Sequence, residues 1–297
     1  CSNSLLFNQY EFNFPMEKVK LLDWEAKDGK HAGGRVLDEL LGIVQSKRQM
    51  KLKAFHHLVT IVVPGLNEAK TIKNVIHELT LLDFSSFDLG KEIIYVDGGS
   101  TDKTLENVRS EKGIRVYQHE GSKGRGDVLR FGIEKANGNI IIFFPSDNEY
   151  NPKDIYQIVA SIVKNEFQVV FGSRAIKCLN LKQQNLKIYN GNYIAYWISK
   201  YGGILLSTLT LICYNRFLSD PLTSVKGFDA KVLKGLNLTS NGINLETEII
   251  SKLCKKQIFI LEVPVEFYPR TKKEGKKTTM FGGIKALFTL VLYLFKQ

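Results

Sequence analysis

The chain has 297 residues, 44% hydrophobic and 24% charged, enough apolar mass for the core of one large α/β domain or one domain with appendages. A formal net charge of +11 asks for an anionic partner: nucleic acid, a phosphorylated substrate or an acidic membrane surface. The four scattered cysteines (Cys1, Cys178, Cys213, Cys254) match no zinc or redox spacing, no run reaches the ~18–20 apolar residues of a spanning helix, and no basic region precedes an apolar one as in a signal peptide.

Residues 1–57 read as a charged, partly helical leader, with Leu37, Leu40, Leu41 and Val44 at helical spacing over 35–50. Met16 is a candidate start, which would set residues 1–15 apart from the native protein. The cysteines beyond the leader fit reduced thiols of a cytosolic protein. The pattern becomes regular at Leu58. A buried-type strand (58–63) ends at Pro64-Gly65-Leu66-Asn67-Glu68 and is followed by a helix over 69–81. A second strand (92–96) ends at Asp97-Gly98-Gly99-Ser100-Thr101-Asp102, where Ser100 or Thr101 is an N-cap candidate for the helix through Val108. A short strand (114–117), a glycine-rich turn (121–126) and a helix over 127–136 follow.

The next stretch, NIIIFFPSDNEYNPKDI, organises the rest. Ile140 to Phe144 is a strand buried on both faces, Pro145 stops it, and Asn151-Pro152-Lys153-Asp154 turns into a helix. Asp147, Asn148 and Glu149 therefore lie at the carboxyl end of a central strand, the edge at which open α/β sheets bind ligands. Strands alternating with helices predict a mostly parallel sheet with right-handed crossovers.

Each strand end carries suitable chemistry. Glu68 and Asp97 can accept hydrogen bonds from a base or ribose, Gly98 and Gly99 allow close backbone approach, and Lys123 and Arg125 suit phosphate. The dinucleotide fingerprint G-x-G-x-x-G is absent. Arg270, Lys272, Lys273, Lys276 and Lys277 concentrate the basic charge. Residues 186–214, rich in Tyr, Trp and Leu with Lys187 and Lys200, suit a membrane interface or a buried helical pair within the fold, and the terminal helix 281–295 would add to membrane attachment. Glu246 and Glu248 read as ordinary helix-face charges, and the five histidines show no ligand spacing beyond the adjacent pair His56-His57.

The segments VTIVVPGLNEAKTI, EIIYVDGGSTDKT, GSKGRGDVLRFGIEKANGNIIIFFPSDNEYNPKDI, VVFGSRAI, SDPLTSVKGFDAKVL and LEVPVEFYPRTKKEGKK occur in this order over 58–277. Together they resemble family 2 glycosyltransferases of the GT-A fold, particularly polyprenyl-phosphate sugar transferases similar to dolichyl-phosphate mannose synthase. The resemblance implies a transferase domain at 58–277 with a Rossmann-like, mostly parallel sheet flanked by helices, and a C-terminal interfacial helix at 278–297. It implies a UDP- or GDP-sugar donor, bound through Pro64, Asn67, Glu68, Asp97, Gly99, Lys123 and Arg125. It implies Mg²⁺ or Mn²⁺ at Asp147 and Glu149, a sugar- or acceptor-facing carboxylate at Asp220, and phosphate contacts at Arg174, Arg270 and Lys277. The expected enzyme inverts at the anomeric carbon, uses Asp220 and Asp147 in catalysis, takes a polyprenyl phosphate as acceptor and sits peripherally on the cytoplasmic membrane surface in cell-envelope glycan synthesis.

One departure stands out. The register set by Glu149-Tyr150-Asn151-Pro152 puts Pro145 where the family has the first aspartate of its D-x-D, so the metal loses a carboxylate and Asn148 becomes a candidate substitute. The alternatives are a metal-independent site with Lys123, Arg125 and Arg270 as a cationic clamp, a soluble hydroxyl acceptor, or a non-catalytic nucleotide-sugar-binding homologue. No nucleic-acid motif accompanies the basic charge, so nucleic acid is not an expected partner.

Overall fold

The computed structural model describes residues 58–164, 167–179, 193–268, 270 and 280–295. The predicted helix at 35–50, His56-His57 and Lys277 lie outside the described residues.

The predicted alternation folds into one seven-stranded sheet. Its strands are β1 (Leu58–Gly65), β2 (Gly90–Asp97), β3 (Ile114–Gln118), β4 (Ile140–Phe143), β5 (Val169–Ser173), β6 (Lys226–Asp229) and β7 (Leu261–Pro264). The order across the sheet is β3-β2-β1-β4-β6-β5-β7. Every pairing is parallel except those of β6, which runs antiparallel to both β4 and β5.

Helices cover both faces: α1 (Ile72–Thr80), α2 (Thr104–Arg109), α3 (Arg125–Lys135), α4 (Ile155–Val163), α5 (Arg174–Leu179), α6 (Tyr193–Tyr214), α7 (Ala230–Lys234), α8 (Leu245–Lys255) and α9 (Met280–Phe295). The apolar runs of β1 and β4 are buried along their whole central length, which is why they read as continuous rather than alternating. One core layer sets Ile61, Ile142 and Phe144 against Ile76, Leu79, Ile155 and Ile158. The other sets Val62, Ile141 and Phe143 against Leu129, Phe228, Ile249 and Leu253.

Two local expectations shift. The helix expected at 69–81 is α1 at 72–80, because the Glu68 carbonyl accepts from Thr71 N and Ile72 N and makes a turn first. Ser100 and Thr101 do not cap α2, whose preceding residue is Lys103 with no side-chain cap. Ser100 Oγ instead donates to Asp97 Oδ1 at 2.6 Å. The turn before α4 forms as expected: Asn151 Oδ1 accepts from Lys153 N at 3.0 Å and Pro152 opens a short 3₁₀ turn.

The sheet order reverses between β1 and β4. β1 leads outward through α1 to β2, whereas β4 lies on the other side, so the carboxyl ends of β1 and β4 open a crevice between them. Ser146 Oγ donates to the Pro64 carbonyl at 2.8 Å and Thr71 Oγ1 donates to the Ser146 carbonyl at 2.9 Å, tying the two strand ends together.

Candidate active site

The loops after β1 and β2 form one interlocked rim. Asn67, held at φ 52°, accepts on Oδ1 from Thr101 N at 2.8 Å, and its own N–H donates to Ser100 Oγ at 2.9 Å. Asparagine tolerates that left-handed backbone at low cost. Asp97 is fully buried: Oδ2 accepts from Gly99 N and Ser100 N, and Oδ1 from Ser100 Oγ and the Tyr95 hydroxyl. Asp97 is the residue expected to serve a base or ribose. Its carboxylate is turned into the loop, shaping the exposed Gly99 turn, which sits at φ 94°.

Glu68, Asp147 and Glu149 converge on one guanidinium. Arg270 Nη1 lies 2.7 Å from Glu68 Oε2, Nη2 lies 3.7 Å from Asp147 Oδ2, and Nε lies 3.7 Å from Glu149 Oε1. The backbone brings it there. Tyr150 and Phe267 form an antiparallel bridge, Tyr268 N donates to the Glu149 carbonyl, and Arg270 N donates to Glu149 Oε1 at 2.8 Å. Burial pushes the Asp147 carboxyl above its ordinary range against the opposing pull of Arg270 and Arg125.

Asn148 is the candidate substitute metal ligand. It is exposed, holds φ 60°, and its Oδ1 accepts from Asn74 Nδ2 of α1 at 3.0 Å. Pro145 is buried. Among the described residues no three His, Cys, Asp or Glu side chains are arranged to hold one metal ion in common. Asp147 and Glu149 still offer hard oxygens, each with one 3.7 Å from the Arg270 guanidinium. That donor set suits a small divalent ion that keeps waters and takes further ligands from a diphosphate.

On the other side of β4, Arg174 and Asp220 meet. Nε to Oδ2 and Nη2 to Oδ1 are both 2.6 Å, and Arg174 N donates to Oδ2 at 3.1 Å. The guanidinium also stacks over Phe267, with its carbon 4.9 Å from the ring centroid. Glu262 of β7 fixes the Asp220 loop by accepting from Ser219 N at 2.7 Å and Asp220 N at 2.9 Å. Burial raises the Glu262 carboxyl above its ordinary value.

Between these two ends lies a group that sequence reading missed. Lys226 of β6 is fully buried and donates to Glu246 Oε2 and to the Thr223 carbonyl. Arg125 Nη1 donates to the other Glu246 oxygen at 2.5 Å. Glu246 and Glu248 are 2% and 0% exposed, so they are not the surface helix charges expected. Burial pulls the Lys226 ammonium down; alone it would push Glu246 up, yet Lys226 and Arg125 hold that carboxyl below its usual range. Glu248 accepts from Thr239 N and Ser240 N at 2.9 and 2.7 Å, and from Lys252 Nζ at 2.7 Å. The available signal was Lys226 itself: a lysine inside Val225-Lys226-Gly227-Phe228, a strand buried on both faces, requires a buried counter-charge. Lys123 is exposed, in the turn that leads into α3.

A switch-point crevice lined by a shared carboxylate cluster and separate cationic groups is where an open α/β fold of the Rossmann-like kind binds its ligand. The comparisons place it more closely. The chain belongs to glycosyl transferase family 2, whose family model matches residues 60–222, and it is a glycosyltransferase.

It is 24% identical over 256 residues to the UDP-N-acetylglucosamine–dolichyl-phosphate N-acetylglucosaminyltransferase of Methanococcus voltae, over 79% of this chain and 95% of that one. It is 27% identical over 141 residues to the dodecaprenyl-phosphate galacturonate synthase of Rhizobium johnstonii, over 46% of this chain and 41% of that one. The crystal structure of Mycobacterium tuberculosis glucosyl-3-phosphoglycerate synthase shares the fold with a TM-score of 0.60 at 19% identity, covering 84% of each chain. The same enzyme in complex with Mn²⁺, UDP-glucose and phosphoglyceric acid gives 0.58 at 21% identity, covering 83% of this chain and 82% of that one. The GT-A architecture implied by the sequence is thus the architecture observed.

Proposed function

We propose that this glycosyltransferase moves a sugar from a UDP-sugar to a polyprenyl phosphate at a membrane surface, with inversion at the anomeric carbon. The observation that carries the acceptor is the apolar face beside the charged crevice. Helices α6 and α9 pack against each other and against α8. They expose Ile204, Leu205, Leu211, Ile212, Phe288, Leu292 and Phe295. Helix α6 then runs through residues 215–219 directly into Asp220. A lipid tail could rest on this face while its phosphate reaches Arg174 and Asp220. No described helix is long and apolar enough to cross a membrane. The polyprenyl-phosphate enzymes among the relatives support this acceptor, and the named UDP donors support uridine over guanosine.

The uridine lies across the rim made by Pro64, Asn67, Glu68 and the Asp97–Thr101 turn, with contacts from backbone and Gly99 more than from the buried Asp97. The diphosphate lies over Asp147 and Glu149, with Lys123, Arg125, Arg270 and Lys277 as its cations. Asp147 and Glu149 would hold a Mg²⁺ or Mn²⁺ ion, which supplies charge neutralisation to the leaving diphosphate. Arg270 must leave its three carboxylates for that, and it is then free to follow the diphosphate.

A lipid phosphate has its second ionisation near pH ~6, so its oxygen is already nucleophilic at neutral pH. It attacks the anomeric carbon as the bond to the UDP oxygen breaks. With both Asp220 oxygens engaged by Arg174, the pair orients acceptor and sugar; proton abstraction is not required of it.

The test is transfer by the purified protein from UDP- and GDP-sugars with Mn²⁺, offering polyprenyl phosphate in vesicles beside soluble phosphorylated and hydroxylated acceptors. A sugar-1-phospho-lipid formed from a UDP-sugar is the expected product. Transfer confined to soluble acceptors would overturn the lipid reading, and donor binding without turnover under every condition would overturn the catalytic one.

A further inference from the structure

Glu246 and Lys226 have no part in the steps above, yet their geometry bears on them. A buried ion pair adds little net stability over an apolar pair of similar volume, so its position is more informative than its presence. This one holds two cations against one carboxylate. Lys226 and Arg125 take separate Glu246 oxygens, and the Lys226 ammonium also lies 4.8 Å from the Phe171 ring centroid. The row keeps a positive charge in excess. One N–H group is left over: among the described residues, Arg125 Nη2 is shielded from solvent and makes no hydrogen bond. Unpaired, shielded donors of this kind are uncommon, and each calls for an explanation such as a functional contact.

The place of that guanidinium follows from its surroundings. Lys226 pairs across the sheet with Phe143 of β4 and Phe171 of β5, the strands that lead to Asp147 and to Arg174, so the row lies between the two ends of the crevice. Both sides of the Arg125–Glu246 bridge are fixed. Arg125 opens α3 right after Gly124, whose φ is 136°. A Cβ on Gly126 would stand 2.6 Å from the Gly242 carbonyl oxygen, so the start of α3 lies flush on the segment that leads into α8 and Glu246. A guanidinium held in this way loses little freedom when it takes up an anion.

We propose that Glu246, backed by Lys226, is a positioning residue that holds the Arg125 guanidinium so that Nη2 donates to an anionic oxygen of the donor diphosphate. The proposal rests on the nucleotide-sugar reading above. It assigns Arg125 to a single fixed contact, in contrast to Arg270, whose guanidinium has other partners to leave.

Calorimetric titration of UDP, uridine and inorganic pyrophosphate tests it, on wild type, Arg125→Ala, Arg125→Lys, Glu246→Gln and the pair Arg125→Ala/Glu246→Gln. Arg125→Ala is expected to weaken UDP and pyrophosphate about 10- to 100-fold, as for loss of one charged hydrogen bond, with uridine unchanged. Glu246→Gln should weaken the same two ligands, and the double variant should be no weaker than Arg125→Ala alone. Arg125→Lys should fail to restore affinity, because a lysine cannot hold Glu246 and the phosphate with a rigid fork.

A merely structural Glu246 would weaken uridine equally, and that outcome overturns the proposal. So does an Arg125→Ala variant with UDP affinity within about twofold of wild type, far below the loss expected for a charged contact. If Glu246→Gln does not fold, Lys226→Met/Glu246→Leu replaces the buried charges together and must show the same loss confined to UDP and pyrophosphate. Arg125-dependent pyrophosphate binding without any nucleotide binding would leave the anchor standing and remove the donor reading. A wild type that binds neither removes both.

Discussion

Arg174 and Asp220 face each other in a two-pronged ion pair, with both side-chain contacts at 2.6 Å and a third from the Arg174 backbone N–H. The end of β5 is thereby joined to the loop that follows α6. The sequence placed Arg174 at the acceptor phosphate and Asp220 at the sugar or acceptor, without pairing them. Joined, they set one another's orientation, and neither can be changed without freeing the other.

Arg174→Met and Asp220→Asn should therefore be coupled. Each should lower kcat/KM by about 100-fold or more, and the double variant should fall short of the product by about 1–3 kcal/mol of coupling energy. Steady-state kinetics with lipid acceptor measure this, with thermal unfolding as a control for lost stability. Independent, multiplicative losses would mean that the pair does not operate as a unit.

Arg270 now holds the carboxylates that a divalent ion would use, so ion and guanidinium compete. Arg270→Ala should tighten Mn²⁺ binding to the nucleotide-free protein by about tenfold, as removal of a competing cation implies. Asp147→Asn should abolish that binding. Electron paramagnetic resonance of free Mn²⁺ reads both without reference to turnover. Weaker Mn²⁺ binding in Arg270→Ala would show that the guanidinium does not compete with the metal.

Glu248 carries a pH dependence. Burial alone would raise its carboxyl, but hydrogen bonds from Lys252, Ser240 and Thr239 bring it from an ordinary 4.5 to about 2. Its folded pKa is depressed, so its contribution is present above 4.5 and is lost as pH falls from there through about 2. Glu248→Gln should cost about 1–3 kcal/mol at pH 7 and show a shallower acid loss below pH 4.5 than wild type. Urea unfolding across that window checks it, and parallel acid profiles in the two proteins would refute it.

Gly126 tests the seat of α3. A side chain there meets the Gly242 and Ser240 carbonyl oxygens at 2.6 and 2.8 Å, backbone atoms that cannot rotate away. Gly126→Ala should destabilise by about 1–3 kcal/mol and displace Arg125 from Glu246, so nucleotide affinity should fall as well. Thermal unfolding and UDP titration are the two readouts; an alanine variant unchanged in both would contradict the close approach.

The apolar face predicts vesicle binding. Replacing Phe288, Leu292 and Phe295 together by serine removes exposed apolar area without touching the crevice. Cosedimentation with anionic vesicles should fall by at least about tenfold, given the free energy of burying apolar surface. Transfer to a short, water-soluble prenyl phosphate should be retained. Unchanged cosedimentation would place membrane contact elsewhere.

Much of this protein was legible in the chain. Ile140 to Phe144, continuous, β-branched and aromatic, read as a strand covered on both faces and stopped by Pro145, and β4 is that strand over Ile140–Phe143. Polar residues after each apolar run placed Glu68, Asp147 and Glu149 on one edge, because parallel strands joined by helices all end on the same side. The family followed from the order of those segments.

Partnership was different, because it depends on contacts between residues far apart in sequence. The sequence left Asn148 open as a ligand, but α1 brings Asn74 to it. It offered Asp97 to the nucleotide, but the turn that follows wraps its oxygens. Glu246 and Glu248 looked like surface charges because helical periodicity does not show that α8 is covered on nearly every side. Lys226, 20 residues before Glu246, becomes its counter-ion only when β6 enters the sheet between β4 and β5. Local propensity and apolar pattern determined the strands and their edge; only the tertiary structure decided which charges meet, since burial makes every unpaired charge costly and the fold supplies the partner.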